Sequence, residues 1–115
     1  MAKYTVSFLQ LIDTVLDDVS RGVASGHHLH NVRCGIENIL ALLERSNELV
    51  ETADQLSLRA GDYITYRGST SPQVSDRAVG ENVDRLRTAR EALAGFHAAV
   101  ERGQPNSRVR TLGLA

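Results

Sequence analysis

Fourteen residues, Ser25 to Asn38 (SGHHLHNVRCGIEN), hold three of the chain's four histidines and its only cysteine. At about 100° per residue, His27, His30, Cys34 and Glu37 fall within roughly 80° of one another and can share one helical ridge. Imidazole, thiolate and carboxylate are ligand types for zinc or another late first-row ion. The ridge lies almost opposite an apolar seam of Leu29, Val32, Ile36 and Leu43. It runs on through Glu48, Thr52, Gln55 and Arg59, so it is a solvent face or a second interface. One straight ridge rarely supplies more than two or three ligands in tetrahedral directions, and the rest would have to come from His97 or a second subunit. No second CxxC or HxxxH supports the pattern. We read it as the polar face of a helix and assign no metal. His27, His30, Cys34 and Glu37 are the candidate ligands should one bind, and no cofactor is implied elsewhere.

The run His27-x-Leu29-x-Asn31, followed by Ile36, Ile39 and Leu43, resembles the phospho-acceptor helix of histidine kinases and of histidine phosphotransfer domains. The resemblance implies a surface histidine, here His27, that accepts phosphate while the apolar residues behind it pack a bundle. It departs at His28, where kinases place an acid. It departs again at His30 and Asn31, where phosphotransfer domains favour a basic and then a small residue. The chain has no ATP-binding glycine boxes, so it could not phosphorylate itself.

Other chemistry finds little support. There is no Walker loop, dinucleotide fingerprint, GxSxG or HExxH. Cys34 sits near two histidines, but no Asn or Asp is placed to orient them, and an unreactive thiol is the simpler reading. A single cysteine also excludes an intramolecular disulfide and a multi-cysteine zinc cluster. Arg77, Arg85, Arg87 and Arg90 cluster late in the chain, yet Asp76, Glu81, Asp84, Glu91 and Glu101 accompany them. Mixed signs and a formal net charge of −1 argue against nucleic acid, which needs excess positive charge.

The elements that would position these residues are helical. Sparse aromatics, two prolines and abundant Ala, Leu and Val suit an all-α fold. Phe8, Leu9, Ile12, Val15, Leu16, Val19 and Val23 recur at steps of three and four, predicting a first helix over 5–22 with Thr5 as its cap. Leu29, Val32, Ile36, Ile39, Leu43, Ser46, Val50, Ala53 and Ser57 hold a seven-residue repeat. That spacing predicts one long helix over 28–59 with a supercoiled seam. Leu42, Leu49 and Leu56 form a flanking apolar row. Residues 61–75 (GDYITYRGSTSPQVS) read as a long connection. Val79, Val83, Leu86, Ala89, Leu93, Phe96 and Val100 mark a third helix over 77–102, ended by Gly103 and Pro105.

These observations predict a single domain over 1–103, an all-α bundle of three principal helices, followed by a flexible basic tail over 104–115. The middle helix outruns the first, so part of its seam would stay uncovered in a monomer. Leu29, Val32, Ile36, Ile39, Leu43 and Val50 are therefore the expected interface of a homodimer or higher oligomer. The expected function is non-enzymatic: a small regulator, adaptor or assembly subunit that binds another protein and itself. Tyr63, Tyr66 and Arg67 of the connection, with Arg85, Arg87 and Arg90 of the third helix, are the expected partner contacts. The alternative is a histidine phosphotransfer or metal-responsive protein centred on His27, His30 and Cys34. No apolar run approaches the roughly 20 residues that span a bilayer. Membrane partners are not expected, and a cytoplasmic location is.

Overall fold

The computed structural model describes residues 3–22, 26–69 and 76–104. Within them the fold is all-α, with four helices in place of the three expected. These are α1 (Lys3–Ser20), α2 (His28–Leu42), α3 (Asn47–Ser69) and α4 (Asp76–Arg102). The flexible tail expected at the C-terminus lies, beyond Gln104, outside the described residues. Among the described residues no helix is long and apolar enough to cross a membrane.

The break that creates the extra helix falls at Leu43–Ser46. Leu43 leaves helical geometry for an extended one, with φ −120° and ψ 153°. The Glu44 N–H donates to the Gln104 carbonyl at 2.8 Å, where a continuing helix would have turned it back on Leu40. Three residues later the chain re-enters a helix with Ser46 as cap. The Leu49 N–H donates to Ser46 Oγ at 3.1 Å, and the Val50 N–H donates to the Ser46 carbonyl at 3.0 Å. Ser46 therefore satisfies an orphan donor of the first turn, and Glu48 adds a favourable acid at that terminus.

A four-residue connection makes neighbouring helices antiparallel. Leu29 near the start of α2 accordingly lies beside Gly61 near the end of α3. Glu48 and Arg102 pair at one end of α3 and α4, while Asp62 and Arg85 pair nearer the other. Each helix thus runs against the next, and α4 returns beside α1 to close the bundle.

The core is built from one stripe per helix. Ile12, Leu16 and Val19 come from α1, and Val32, Ile36, Ile39 and Leu43 from α2. Leu49, Ala53, Leu56, Ala60 and Tyr63 come from α3, with Ala89, Phe96, Ala99 and Val100 from α4. Residues 61–69, expected to be connection, continue the α3 stripe through Tyr63; the rest of that connection, 70–75, lies outside the described residues. Thr5, expected to cap, is buried within α1, and Val83, expected to be buried, is exposed.

Two glycines sit where the geometry favours them. A Cβ on Gly35 would meet Ile12 Cγ1 at 3.2 Å, so α1 and α2 approach where there is no side chain. Gly22 has φ +80°, the left-handed turn that ends α1. Its N–H donates to the Val19 carbonyl at 3.1 Å, which also accepts from Arg67 Nε at 3.3 Å.

Replacing Ser46 with Ala should lower stability by about 0.5–2 kcal/mol, the usual cost of a lost cap. Urea unfolding followed by circular dichroism checks it. An unchanged midpoint would mean that Ser46 does not start a helix.

Candidate functional site

The histidine stretch does not assemble. His27 is exposed and lies just ahead of α2, where its carbonyl accepts the Asn31 N–H at 2.8 Å. His28, noted in the sequence only as a departure from the kinase pattern, is the buried one, at 8% exposure. His30 and Cys34 do meet, with Sγ 3.4 Å from Nε2 one turn apart on an exposed face. Glu37 is exposed further along the same helix. Among the described residues no group of three or more His, Cys, Asp or Glu side chains is gathered as a metal would need. The pair is two donors without a third.

The expected oligomer seam lies inside the monomer. Val32, Ile36, Ile39 and Leu43 are buried by α1 and α3, and Leu29 is half-buried against Gly61. Of that set Val50 alone is well exposed, at 37%. The antiparallel return of α3 covers the surface that an uninterrupted helix would have left open.

The expected partner contacts are largely engaged within the chain. Tyr63 is fully buried in the core. Tyr66 is half-buried between α3 and α4; its hydroxyl donates to Glu81 at 3.4 Å, and the Arg85 guanidinium stacks 4.4 Å from its ring centroid. Arg85 also pairs with Asp62 at 2.5 Å. Arg67 caps the carbonyl end of α1 through Val19, and Arg87 pairs with Asp84 on its own helix at 2.8 Å. Arg90 differs: it is about half exposed, and its contact with Asp17 is long, at 3.9 Å.

Arg90 also lines the feature that sequence reasoning missed. Between α1 and α4 runs an open groove of about 380 Å³, lined by Val6, Leu9, Gln10 and Asp13 from α1 and by Arg90, Leu93, Ala94 and His97 from α4. Leu9 is its buried floor and Val6, at 44% exposure, its rim. Asp13 is exposed and makes no ion pair among the described residues. His97 is held by Glu101 at 3.1 Å. Each helix contributes side chains at steps of one, three or four, a second face beside the core stripe, and that doubled apolar patterning was the available signal. Its chemistry is an apolar floor flanked by a base, Arg90, on one wall and an acid, Asp13, on the other.

Fold and groove together define, among the described residues, an antiparallel four-helix bundle with an open groove between α1 and α4. In comparisons with protein-family models, with curated proteins and with solved structures, nothing matches the chain.

One buried group tests the core behind this site. The Tyr63 hydroxyl is buried with no hydrogen-bond partner among the described residues. Burial raises its pKa above the ordinary 10.0, while the Arg67 and Arg90 guanidiniums pull it partly back. A raised folded-state pKa means that the folded chain holds this proton more tightly. Its contribution is therefore intact below pH ~10 and lost as pH rises through the folded value. Tyr63→Phe should be neutral or stabilising by up to about 1–3 kcal/mol at neutral pH, since it removes an unsatisfied buried hydroxyl. It should also flatten the alkaline loss of stability. Urea unfolding at neutral pH and above pH ~10 checks both; clear destabilisation at neutral pH would show that the hydroxyl has a partner.

Proposed function

We propose that this chain is a non-enzymatic helical interaction protein, a small regulator, adaptor or assembly subunit that works in the cytoplasm by binding protein along its α1–α4 groove. The observation that carries this reading is the groove itself, where an apolar floor meets a loosely held Arg90 and an Asp13 that has no ion pair among the described residues. A helix laid there would cover the exposed part of Val6 and of the half-buried Leu93 above the Leu9 floor, at roughly 25 cal/mol per Å² of apolar surface removed from water. It would also give both charges an opposite partner. The contacts expected at Tyr63, Tyr66, Arg67, Arg85 and Arg87 give way in this reading to Arg90 and its groove neighbours, because Tyr63, Tyr66, Arg67 and Arg85 are engaged between helices and Arg87 pairs along its own.

The histidine-centred alternative keeps one supporting observation, the exposed His30–Cys34 pair. Phosphate acceptance at His27, or a metal shared with another molecule at His30 and Cys34, would be lost in His27→Ala or His30→Ala. The groove reading predicts that neither substitution alters partner binding.

A photo-crosslinking side chain at Ala94, on the groove wall, should give protein adducts in cells, whereas the same group at the exposed Glu51 of α3 should not. Val6→Glu should abolish the Ala94 adducts by charging the rim, while His30→Ala leaves them in place. Adducts absent at Ala94, or lost with His30→Ala, would contradict the groove reading.

A further inference from the structure

The groove's chemistry names its occupant more closely, on the assumption that the groove is a protein-binding surface. Because α1 and α4 are antiparallel, Asp13 and Arg90 lie toward one end of the groove. Val6 and His97 lie toward the other, with Leu9, Leu93 and Ala94 between them. Acid and base thus stand at similar height on opposite walls. A two-fold axis running along the groove exchanges the walls: α1 of one copy then faces α4 of the other. Under that operation Asp13 meets Arg90 of the second copy and Arg90 meets its Asp13. Leu9 meets Leu93 and Ala94 of the second copy at the same height, and Val6 meets its His97.

An isologous interface requires a surface complementary to itself under a two-fold, and this face meets that requirement in charge at Asp13 and Arg90 and in apolar placement at Leu9, Leu93 and Ala94. Asp13 makes no ion pair within the described chain, and Arg90 reaches Asp17 only at 3.9 Å. That aspartate is held more closely by Arg21, at 2.9 Å. Both charges of the groove therefore have capacity for a partner. No such symmetry exists on the α3–α4 side, where Glu48–Arg102 and Asp62–Arg85 are already paired within the chain.

We infer that the groove's occupant is a second copy of this chain, in a parallel two-fold dimer that joins α1 and α4 of each copy into a four-helix layer with reciprocal Asp13–Arg90 ion pairs.

The test is the mass of the untagged full chain by sedimentation or light scattering across a wide dilution series, on wild type and on two charge reversals. Wild type should run at twice the chain mass. Asp13→Arg and Arg90→Asp should each weaken the dimer by about tenfold or more, since each places like charges opposite one another twice. Mixing the two variants should recover the dimer, because a copy with two arginines then faces a copy with two aspartates. Circular dichroism confirms that the variants fold. A wild-type chain that is monomeric throughout would overturn the inference whatever the variants do, and so would a dimer indifferent to both reversals or a mixture no stronger than either variant alone. Ala94 adducts to a different protein together with a monomeric chain would end this inference and leave the interaction reading standing. No adducts and a monomer would end both.

Discussion

The structure depends on a reversal of the chain at Leu43–Ser46. Two hydrogen bonds define it: Ser46 Oγ accepts the Leu49 N–H and starts α3, and the Glu44 N–H is turned to the Gln104 carbonyl at the end of α4. The Gln104 carbonyl thus takes up the peptide N–H that the break withdraws from α2 and ties the turn to the end of α4. Once the chain has turned, α3 must run back along α2. The seam of Val32, Ile36, Ile39 and Leu43 becomes interior, and Tyr63 is carried into the core.

The same reversal decides which face stays open. α3 and α4 are fastened by Glu48–Arg102, by Asp62–Arg85 and by the Tyr66 ring under Arg85. α1 and α2 meet closely at Gly35, and α1 is tied to α3 where Arg67 reaches Val19. Between α1 and α4 the one cross-helix ion pair in the described residues is the long Arg90–Asp17 contact. It is beside this contact that the apolar groove opens.

Helix content and the polar character of the histidine ridge were legible in the sequence; the helix count was not. The seven-residue repeat runs cleanly through Leu29, Val32, Ile36, Ile39 and Leu43. It runs as cleanly through Leu49, Ala53, Leu56, Ala60 and Tyr63. The step joining the two is six residues, a slip of one residue, or about 100°, that no continuous helix can absorb while keeping both stripes inward. Reading through Ser46 and Val50 hid the slip, because both positions fit the first phase. Ser46 is in fact the cap, and Val50 faces solvent. Leu49 and Leu56, which read as a flanking row, were the true seam. The groove was illegible for a different reason. It arises from the pairing of α1 with α4, two helices far apart in sequence, and neither pattern alone says which of its faces the other will leave uncovered.

The central claim is the reversal itself, and one distance decides it. Arg33 of α2 and Leu58 of α3 line the same depression between those helices. Spin labels at these two positions, with Cys34 replaced by Ser, can be measured by pulsed electron resonance. The folded-back bundle predicts a short separation, below about 20 Å, since packed helices lie 8–10 Å apart. A single helix through Leu43–Ser46 would hold the labels roughly 38 Å apart. That longer distance would contradict the four-helix fold and every surface assigned from it.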